Sequence, residues 1–234
     1  MYSIIVIIAI LILIVFLVWA SADIGSNVYL KTICKAEDAA KTVALTFDDG
    51  PDATMTPRIL DVLKKYDIKA TFFLIGYKAE RNPEIVRRVF EEGHVIGNHT
   101  YSHKGIFPLS GKNSVEYESQ KCDDIIVKII GKKTKLFRPP FGVTNPIIAD
   151  VVRMMNLTTI GWSIRSLDTM KRRRREQVCD KVIRRLHDGA IILLHDRCND
   201  ADVLLEKIIK QIYENGYNIK PLDEMLKIEN VYED

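Results

Sequence analysis

Two adjacent carboxylates at the end of an apolar segment are the first residues whose types and spacing could do chemistry. Residues 43–47 are apolar or β-favouring, and they lead directly into Asp48 and Asp49. Because successive strand residues point to opposite faces, a regular strand could not direct both acids to one site. We expect Gly50 and Pro51 to end the strand and let both acids turn toward the same space. Such a pair needs a cation, a proton or an arginine nearby; a simple Asp-Gly turn is the alternative.

Two histidines could supply metal ligands. His99 and His103 are four residues apart, and one helical turn would bring both imidazoles to the same face. Two histidines and one carboxylate form a common zinc set that leaves a coordination position open for water. Solvated or core histidines explain an isolated pair equally well. Together with Asp48 and Asp49 the pair predicts a metal site, in which one carboxylate binds the ion and the other acts as a base.

Three further ionisable residues could take part in catalysis. His195 ends the apolar segment 190–194, where a partly desolvated imidazole titrates near the pH that suits acid catalysis. Arg138 precedes two prolines that stiffen its loop, so its guanidinium could be held against a carboxylate. Asp168 could orient His195. The alternatives are a histidine bonded to a backbone carbonyl and a purely structural ion pair, and spacing alone does not decide the role of Asp168.

These residues follow predicted strands. We predict strands at residues 43–47, 70–75, 94–97, 136–137, 158–163, 190–194 and 217–219, and helices at 56–66, 82–93, 114–130, 145–155, 176–187 and 203–213. This alternation of helices with apolar strands indicates parallel βα units. We therefore expect an α/β fold with a closed or nearly closed barrel, and an open doubly wound sheet is the alternative. In such barrels the C-terminal rim carries the chemistry.

The first 22 residues contain no charged side chain, and residues 4–20 are uninterrupted apolar sequence. The apolar run 4–20 is at the short end of a membrane span of roughly 17–25 residues, and it is slightly longer than a signal-peptide core of about 7–15 residues. Ala20-Ser21-Ala22 resembles a cleavage site, but no lysine or arginine precedes the apolar segment. We favour an uncleaved anchor over a cleaved signal peptide, with the rest of the chain exported in either case. Residues 23–40 are predicted to form a tether with one entering segment, and residues 41–228 the catalytic domain.

Net charge, cysteine spacing and one basic segment bear on which partners and sites the chain could have. The chain has 234 residues and a formal net charge of +3, which does not point to a nucleic-acid partner. The four cysteines are widely spaced, which argues against a zinc finger, and their spacing does not predict any disulfide pairing: Cys34, Cys122, Cys179 and Cys198. Residues 171–175 are five consecutive basic residues, either a solvated surface or a site for an anionic glycan or lipid headgroups. Oligomeric state is not predictable from this pattern.

Taken in order, the motifs resemble those of polysaccharide deacetylases, the NodB-homology enzymes of carbohydrate esterase family 4. The segments that carry the resemblance are TFDDGP at 46–51, HTYSH at 99–103, RPPFG at 138–142, residues 162–168 and LLH at 193–195. It extends over roughly residues 41–225. It implies a distorted (β/α) barrel of about seven parallel strands as a single catalytic domain.

The resemblance implies a metal centre and a base. Asp49, His99 and His103 match the family's metal ligands, and the ion is expected to be Zn, with Co, Ni or Mn as alternatives. Asp48 matches the general base that takes a proton from water. Arg138 resembles the residue that pairs with this base and keeps it ionised.

The remaining roles concern the leaving group and the substrate. The backbone N–H of Phe141 matches the oxyanion donor, and Pro140 and Trp162 match residues that line the substrate site. His195 resembles the general acid that protonates the leaving amine, and Asp168 the carboxylate that tunes it. An amide needs both an oxyanion stabiliser and a proton donor, because an amine does not leave unprotonated.

Two positions depart from the family pattern. Many members have an aspartate three residues before the position of Asp168 and a tryptophan directly after it; this chain has Arg165 and Thr169. The metal ligands and the base are unaffected. Because this loop lines the family's groove, the departure leaves substrate preference open.

We therefore expect a metal-dependent deacetylase that hydrolyses N-acetyl groups of amino sugars in peptidoglycan or a chitin-like glycan. The expected partners are the acetylated polysaccharide and, through residues 1–22, a membrane. Two alternatives are an O-acetyl esterase of the xylan type and a non-catalytic glycan-binding protein on the same fold.

Overall fold

The fold is described from a computed structural model, which covers residues 2–170 and 174–233. Residues 171–173, part of the predicted basic segment, lie outside the described residues. The helices are α1 Tyr2–Ala22, α2 Met55–Lys65, α3 Gly76–Arg81, α4 Pro83–Glu91, α5 Lys112–Ile130, α6 Pro146–Met154, α7 Arg175–Ile183, α8 Ala201–Glu214 and α9 Leu222–Leu226. The strands are β1 Thr32–Ile33, β2 Thr42–Gly50, β3 Thr71–Leu74, β4 Val95–Asn98, β5 Lys133–Thr134, β6 Leu136–Phe137, β7 Thr158–Ile160, β8 Ile164–Arg165, β9 Ala190–His195, β10 Asn218–Ile219 and β11 Tyr232–Glu233.

One parallel sheet forms the body of the molecule. Its strand order is β1-β7-β6-β4-β3-β2-β9-β8, with β10 beside β2. The two edges approach each other, because the backbone N–H of Ala36, just after β1, donates to the carbonyl of Gly189 at 2.9 Å, and Lys35 bridges Ala190 of β9. The prediction of a distorted, nearly closed (β/α) barrel is confirmed.

The barrel interior and its outer layer are filled by alternate strand residues. Val43, Leu45 and Phe47 of β2 pack with helix residues such as Ile59 and Leu205. Ala44, between them, packs with one apolar side chain from each of four other strands: Phe73, Leu136, Ile160 and Ile191. All nine residues of β2 are buried, as expected for a strand covered on both faces.

The segment before β2 is partly integrated into the fold. β1 lies within the predicted tether and pairs with β7 through Thr32 and Ile33, and Ile24 and Leu30 are buried. Among the described residues, α1 is the one helix long and apolar enough to span a membrane. Its side chains are exposed except for Ala20 and the partly covered Ser21.

Two local predictions were wrong. Thr56, the first residue of the predicted helix 56–66, has the residue type of an N-cap, but the helix begins at Met55. The buried Thr56 hydroxyl instead donates to Oδ2 of Asp196 at 2.6 Å. The short helix α3 was not predicted, since it occupies only the six residues between the predicted strand 70–75 and the predicted helix 82–93. The four cysteines are free thiols.

Candidate active site

A β-bulge, rather than the end of a strand, brings the two aspartates together. β2 continues to Gly50, and its pairing with β3 shifts between Asp48 and Gly50, so Asp49 is the extra residue. Asp49 has φ 74°, a conformation that aspartate tolerates better than most residues. A bulge re-aims a side chain within a continuous strand. The prediction that the Gly-Pro pair does this by ending the strand was therefore wrong.

A loop, rather than a helical turn, brings the two histidines together. Residues 99–103 are not helical, and Thr100 and His103 have positive φ. Nε2 of His99 lies 3.6 Å from Oδ1 of Asp49, and Nε2 of His103 lies 3.4 Å from the same oxygen. The predicted trio does converge, but through a backbone conformation that the four-residue spacing did not predict.

Helix α5 holds this histidine loop in place. Glu118 accepts hydrogen bonds from the backbone N–H and the hydroxyl of Ser102, both at 2.7 Å. Asn98 donates to Oδ1 of the buried Asp123 at 2.6 Å and accepts from the backbone N–H of Thr100. Sequence reasoning missed Glu118 and Asp123, because they lie about 20 positions from the histidines and belong to no motif.

Arg138 is fully buried, and each of its three guanidinium nitrogens donates at least one hydrogen bond. Nη1 donates to Oδ1 of Asp48 at 2.7 Å and to the hydroxyl of Thr46 at 2.8 Å. Nε and Nη2 donate to the carbonyls of Ile160 and Gly161. These contacts hold the guanidinium against Asp48, as predicted, and leave Oδ2 of Asp48 at 3.7 Å from Nε2 of His99.

His195 and Asp168 form a direct pair. Oδ1 of Asp168 lies 2.7 Å from Nδ1 of His195, and Oδ2 accepts the backbone N–H of His195 at 2.8 Å. Burial lowers the pKa of His195, but the hydrogen bond and charge of Asp168 outweigh it, so the pKa lies above its ordinary value. Asp48 is the register partner of His195 on the neighbouring strand, so the predicted base and acid face one cleft.

The loop after β6 forms a further wall. Phe141 has φ 62°, and its ring is 4.7 Å from the ring of His103. Pro140, next to Phe141 in the chain, is buried. Gly142 has φ 71°, and a Cβ there would lie 2.4 Å from Cη2 of Trp162. Glycine is required at this position both for the backbone conformation and for the close approach of the indole.

The cleft has a volume of about 120 Å³, and the residues that line it include Asp48, Asp49, His99, His103, Phe141, Trp162 and His195. The two departures from the family motif, Arg165 and Thr169, also line it. A larger cavity of about 560 Å³ lies elsewhere, between residues 25–38 and 225–227. We assign the chemistry to the smaller cleft because the carboxylates and imidazoles converge there.

Arg197 is a cleft residue that sequence reasoning missed. It lines the cleft, and its Nε donates to Oδ2 of Asp49 at 2.5 Å. It follows His195 by two positions, so its proximity to the last motif was the available signal. Its half-exposed side chain leaves part of the guanidinium facing solvent at the cleft mouth.

The Asp49, His99 and His103 side chains fit a divalent metal ion. Their candidate ligand atoms lie within 4.8 Å of one another. Nδ1 of His99 lies 2.7 Å from the carbonyl of Arg138, so that nitrogen carries the proton and the Nε2 lone pair faces Asp49. Burial, then the charge of His99, lowers the pKa of His103 to about 4, so its imidazole is neutral at pH 7, as metal binding requires.

The sequence of this chain matches one protein family and several named relatives. A family model for polysaccharide deacetylase matches residues 35–160. A peptidoglycan-N-acetylglucosamine deacetylase of Bacillus cereus is 38% identical over 191 residues, which cover 79% of this chain and 68% of that protein. The peptidoglycan-N-acetylmuramic acid deacetylase PdaA of Bacillus subtilis is 32% identical, over 80% of this chain and 72% of that protein.

The fold is also shared with solved structures. The structure of the Bc1960 peptidoglycan N-acetylglucosamine deacetylase in complex with a benzamide derivative superimposes with a TM-score of 0.78 at 34% identity. The match covers 84% of this chain and 92% of that one. The sequence matches and the structural match thus agree on the family and the fold.

Proposed function

This chain belongs to the polysaccharide deacetylase family, and we propose that it is a metal-dependent hydrolase that removes the acetyl group from N-acetylated amino sugars of peptidoglycan. The observation that carries the proposal is the arrangement around the cleft. The candidate ligands Asp49, His99 and His103 share one cleft with Asp48 and His195. Arg138 pairs with Asp48, and Asp168 pairs with His195. The two relatives described above, which act on peptidoglycan sugars, support the choice of substrate.

The proposed metal site supplies an electrophile. A divalent ion, most simply Zn with Co, Ni or Mn as alternatives, acts as a Lewis acid that polarises a carbonyl and makes water more acidic. The protein contributes Oδ1 of Asp49 and the two Nε2 atoms. The carbonyl of Arg138 fixes the tautomer of His99.

Asp48 is the proposed base. One of its oxygens is held by Arg138 at 2.7 Å, which fixes the orientation of the carboxylate. The other oxygen, Oδ2, faces the histidines and is the atom that takes the proton of the attacking water. Arg138 therefore acts through Asp48 rather than on the substrate.

His195 is the proposed acid. Because Asp168 engages its Nδ1, the other ring nitrogen, Nε2, is the one available to the cleft. The raised pKa keeps the imidazole protonated at a higher pH than an ordinary histidine, as donation to a leaving amine requires. The backbone N–H of Phe141 is the proposed donor to the developing oxyanion, with Pro140 and Trp162 shaping the acetyl site.

The N-terminal helix is proposed to anchor the enzyme, with the catalytic domain outside the cytoplasm. α1 has the length and composition of a membrane span, and relatives named for peptidoglycan act on the cell wall. Membrane fractionation with N-terminal sequencing tests this: recovery of Met1 in the membrane fraction is expected, whereas a soluble product starting at Asp23 contradicts it.

Acetate and free amine released from N-acetylated peptidoglycan fragments by metal-loaded protein test the proposed reaction. We expect turnover by the unaltered chain and a loss of at least about 100-fold in Asp48→Asn, in line with general-base contributions of 10²–10⁴. Asp61→Asn, at an exposed aspartate of α2, is the matched control. Normal turnover in Asp48→Asn contradicts the assignment of the base.

The acetate-release assay also distinguishes the two alternative functions, an O-acetyl esterase and a glycan-binding protein. Faster acetate release from acetylated xylan than from peptidoglycan fragments identifies an O-acetyl esterase. If metal-loaded protein binds glycan and releases no acetate from any acetylated substrate, the chain is a glycan-binding protein.

A further inference from the structure

Helix α1 joins the domain with no intervening linker. The helix ends at Ala22, and the hydroxyl of Ser26 folds back to donate to the carbonyl of Ala20 at 2.8 Å. Ile24 is 5% exposed, so the chain enters the domain core two residues after the helix. The end of α1 is therefore held against the domain surface.

The surface that receives α1 is the active-site loop after β6. The backbone N–H of Thr144 donates to the carbonyl of Ser21 at 3.0 Å, and Ala20 is completely buried at this contact. A surface cleft at the helix end is lined by Trp19, Ala22, Asp23, Ile24, Phe141, Trp162 and Arg165. Three of these residues also line the active-site cleft: Phe141, Trp162 and Arg165. One layer of side chains therefore separates the end of α1 from the active site.

Two exposed apolar side chains lie on a loop that is bonded to the loop contacting α1. The amide of Asn145 donates to the carbonyl of Pro108 at 2.7 Å, which ties the loop after His103 to the loop that contacts α1. On the loop after His103, Ile106 is 64% exposed and Leu109 is 87% exposed. We call these two residues the apolar collar.

The length of α1 sets the position of the bilayer. Its 21 residues extend about 32 Å at 1.5 Å per residue, close to the roughly 30 Å hydrocarbon core. Trp19 is one turn from the end of the helix, where tryptophan favours the membrane interface. A bilayer that contains α1 therefore ends beside Trp19, with the apolar collar and the cleft mouth at its surface.

We propose that the active site opens at the membrane surface and acts preferentially on acetylated amino sugars carried there by a lipid. This inference rests on the proposed function and on retention of α1. The short connection keeps the cleft within reach of sugars at the bilayer surface and away from distal polymer. A lipid-carried sugar is also confined with the enzyme to one surface, which raises its effective concentration.

Turnover by the full chain in phosphatidylglycerol-containing vesicles tests the substrate. The probes are an N-acetylglucosamine saccharide linked to a lipid in the same vesicle and the same saccharide without lipid. We expect kcat/KM to be at least about tenfold higher for the lipid-linked saccharide. A 20-residue Gly-Ser spacer between Ala22 and Asp23, with a reach of about 25 Å, should lower this preference without changing turnover of the free saccharide. Equal rates on both probes, or an unchanged preference with the spacer, overturn the inference.

Point variants test the preference for the lipid-linked saccharide without altering the connection between α1 and the domain. Ile106→Ser and Leu109→Ser should reduce turnover of the lipid-linked saccharide alone, since neither residue lines the active-site cleft. Tyr213→Ser, at an exposed aromatic residue on α8, is the matched control. A loss equal to that of the control contradicts a role for the apolar collar.

A measurement independent of activity separates this inference from the proposed function. A genetically encoded fluorescent amino acid at position 109 should be quenched by nitroxide lipids, and the same residue at position 215, in an exposed loop that precedes β10, should not. Quenching at 109 without any acetate release means that the proposed function fails while the membrane position stands. Equal quenching at both positions overturns the membrane position whatever the turnover.

Discussion

Arg197 donates a hydrogen bond from Nε to Oδ2 of Asp49 at 2.5 Å, on the carboxylate whose Oδ1 faces His99 and His103. The two oxygens of Asp49 thus have different partners. Partners of this kind orient metal ligands, and their loss typically lowers metal affinity by about 10–100-fold.

We therefore predict that Arg197→Gln lowers Zn affinity by about tenfold or more, because Asp49 loses the contact that fixes its carboxylate. Competition with a chromophoric chelator measures this affinity. Arg58→Gln, at an exposed arginine that pairs with Asp202, serves as control. Unchanged affinity in Arg197→Gln would show that the contact does not position Asp49.

Replacement of Asp168 should shift the pH profile of the reaction. Asp168 contributes most to the raised pKa of His195, and the acid form is present below that pKa and lost as pH rises through it. In Asp168→Asn burial is no longer outweighed by this carboxylate, so the pKa falls and the alkaline limb of kcat moves to lower pH. Asp180→Asn, on α7 and outside the cleft, is the control. An unmoved alkaline limb means that another group supplies the proton.

Alanine variants of Gly142 and Gly131 distinguish the effect of backbone strain from the effect of crowding in the cleft. Both have positive φ, but a Cβ at Gly142 meets Trp162 and one at Gly131 meets nothing within 4 Å. Each alanine variant should lose about 1–2 kcal/mol of unfolding free energy from the backbone conformation. Gly142→Ala alone should also lower kcat/KM, by about tenfold or 1.4 kcal/mol, because the indole that lines the cleft must move. Equal activity of the two variants contradicts this role of the indole.

Asp196 should make the protein less stable as pH rises. Burial raises its pKa to about 7, so between about pH 4 and pH 7 the native state binds more protons than the unfolded state. Unfolding free energy then falls with pH across this window, by on the order of 4 kcal/mol for a shift of this size. Asp196→Asn should flatten this dependence in urea unfolding experiments. Asp61→Asn should retain it, and a steep slope in Asp196→Asn would contradict the assignment.

Much of the chemistry could be predicted from the sequence, because it depends on residue types at short spacings. The two aspartates, the two histidines, Arg138 and His195 all follow predicted strands, and parallel strands bring their C-terminal ends to one rim. The alternation of apolar strands and helices likewise predicts the barrel. These are local patterns, so no long-range information is needed to read them.

The tertiary structure decided how these residues meet. Both aspartates face the cleft because the pairing of β2 with β3 creates a bulge at Asp49, and register against another strand is not a local property. The histidine loop depends on contacts with α5, and Arg197 reaches Asp49 from the segment that follows the neighbouring strand β9.

The position of α1 beside the cleft also lay beyond the sequence. Apolar composition alone predicts that residues 1–22 are a membrane anchor or a signal peptide, because hydrocarbon favours an apolar segment of this length whatever follows it. The contact of Ser21 with Thr144 joins residues far apart in the chain. Only folding of the domain brings them together, and with them the end of the helix and the mouth of the active site.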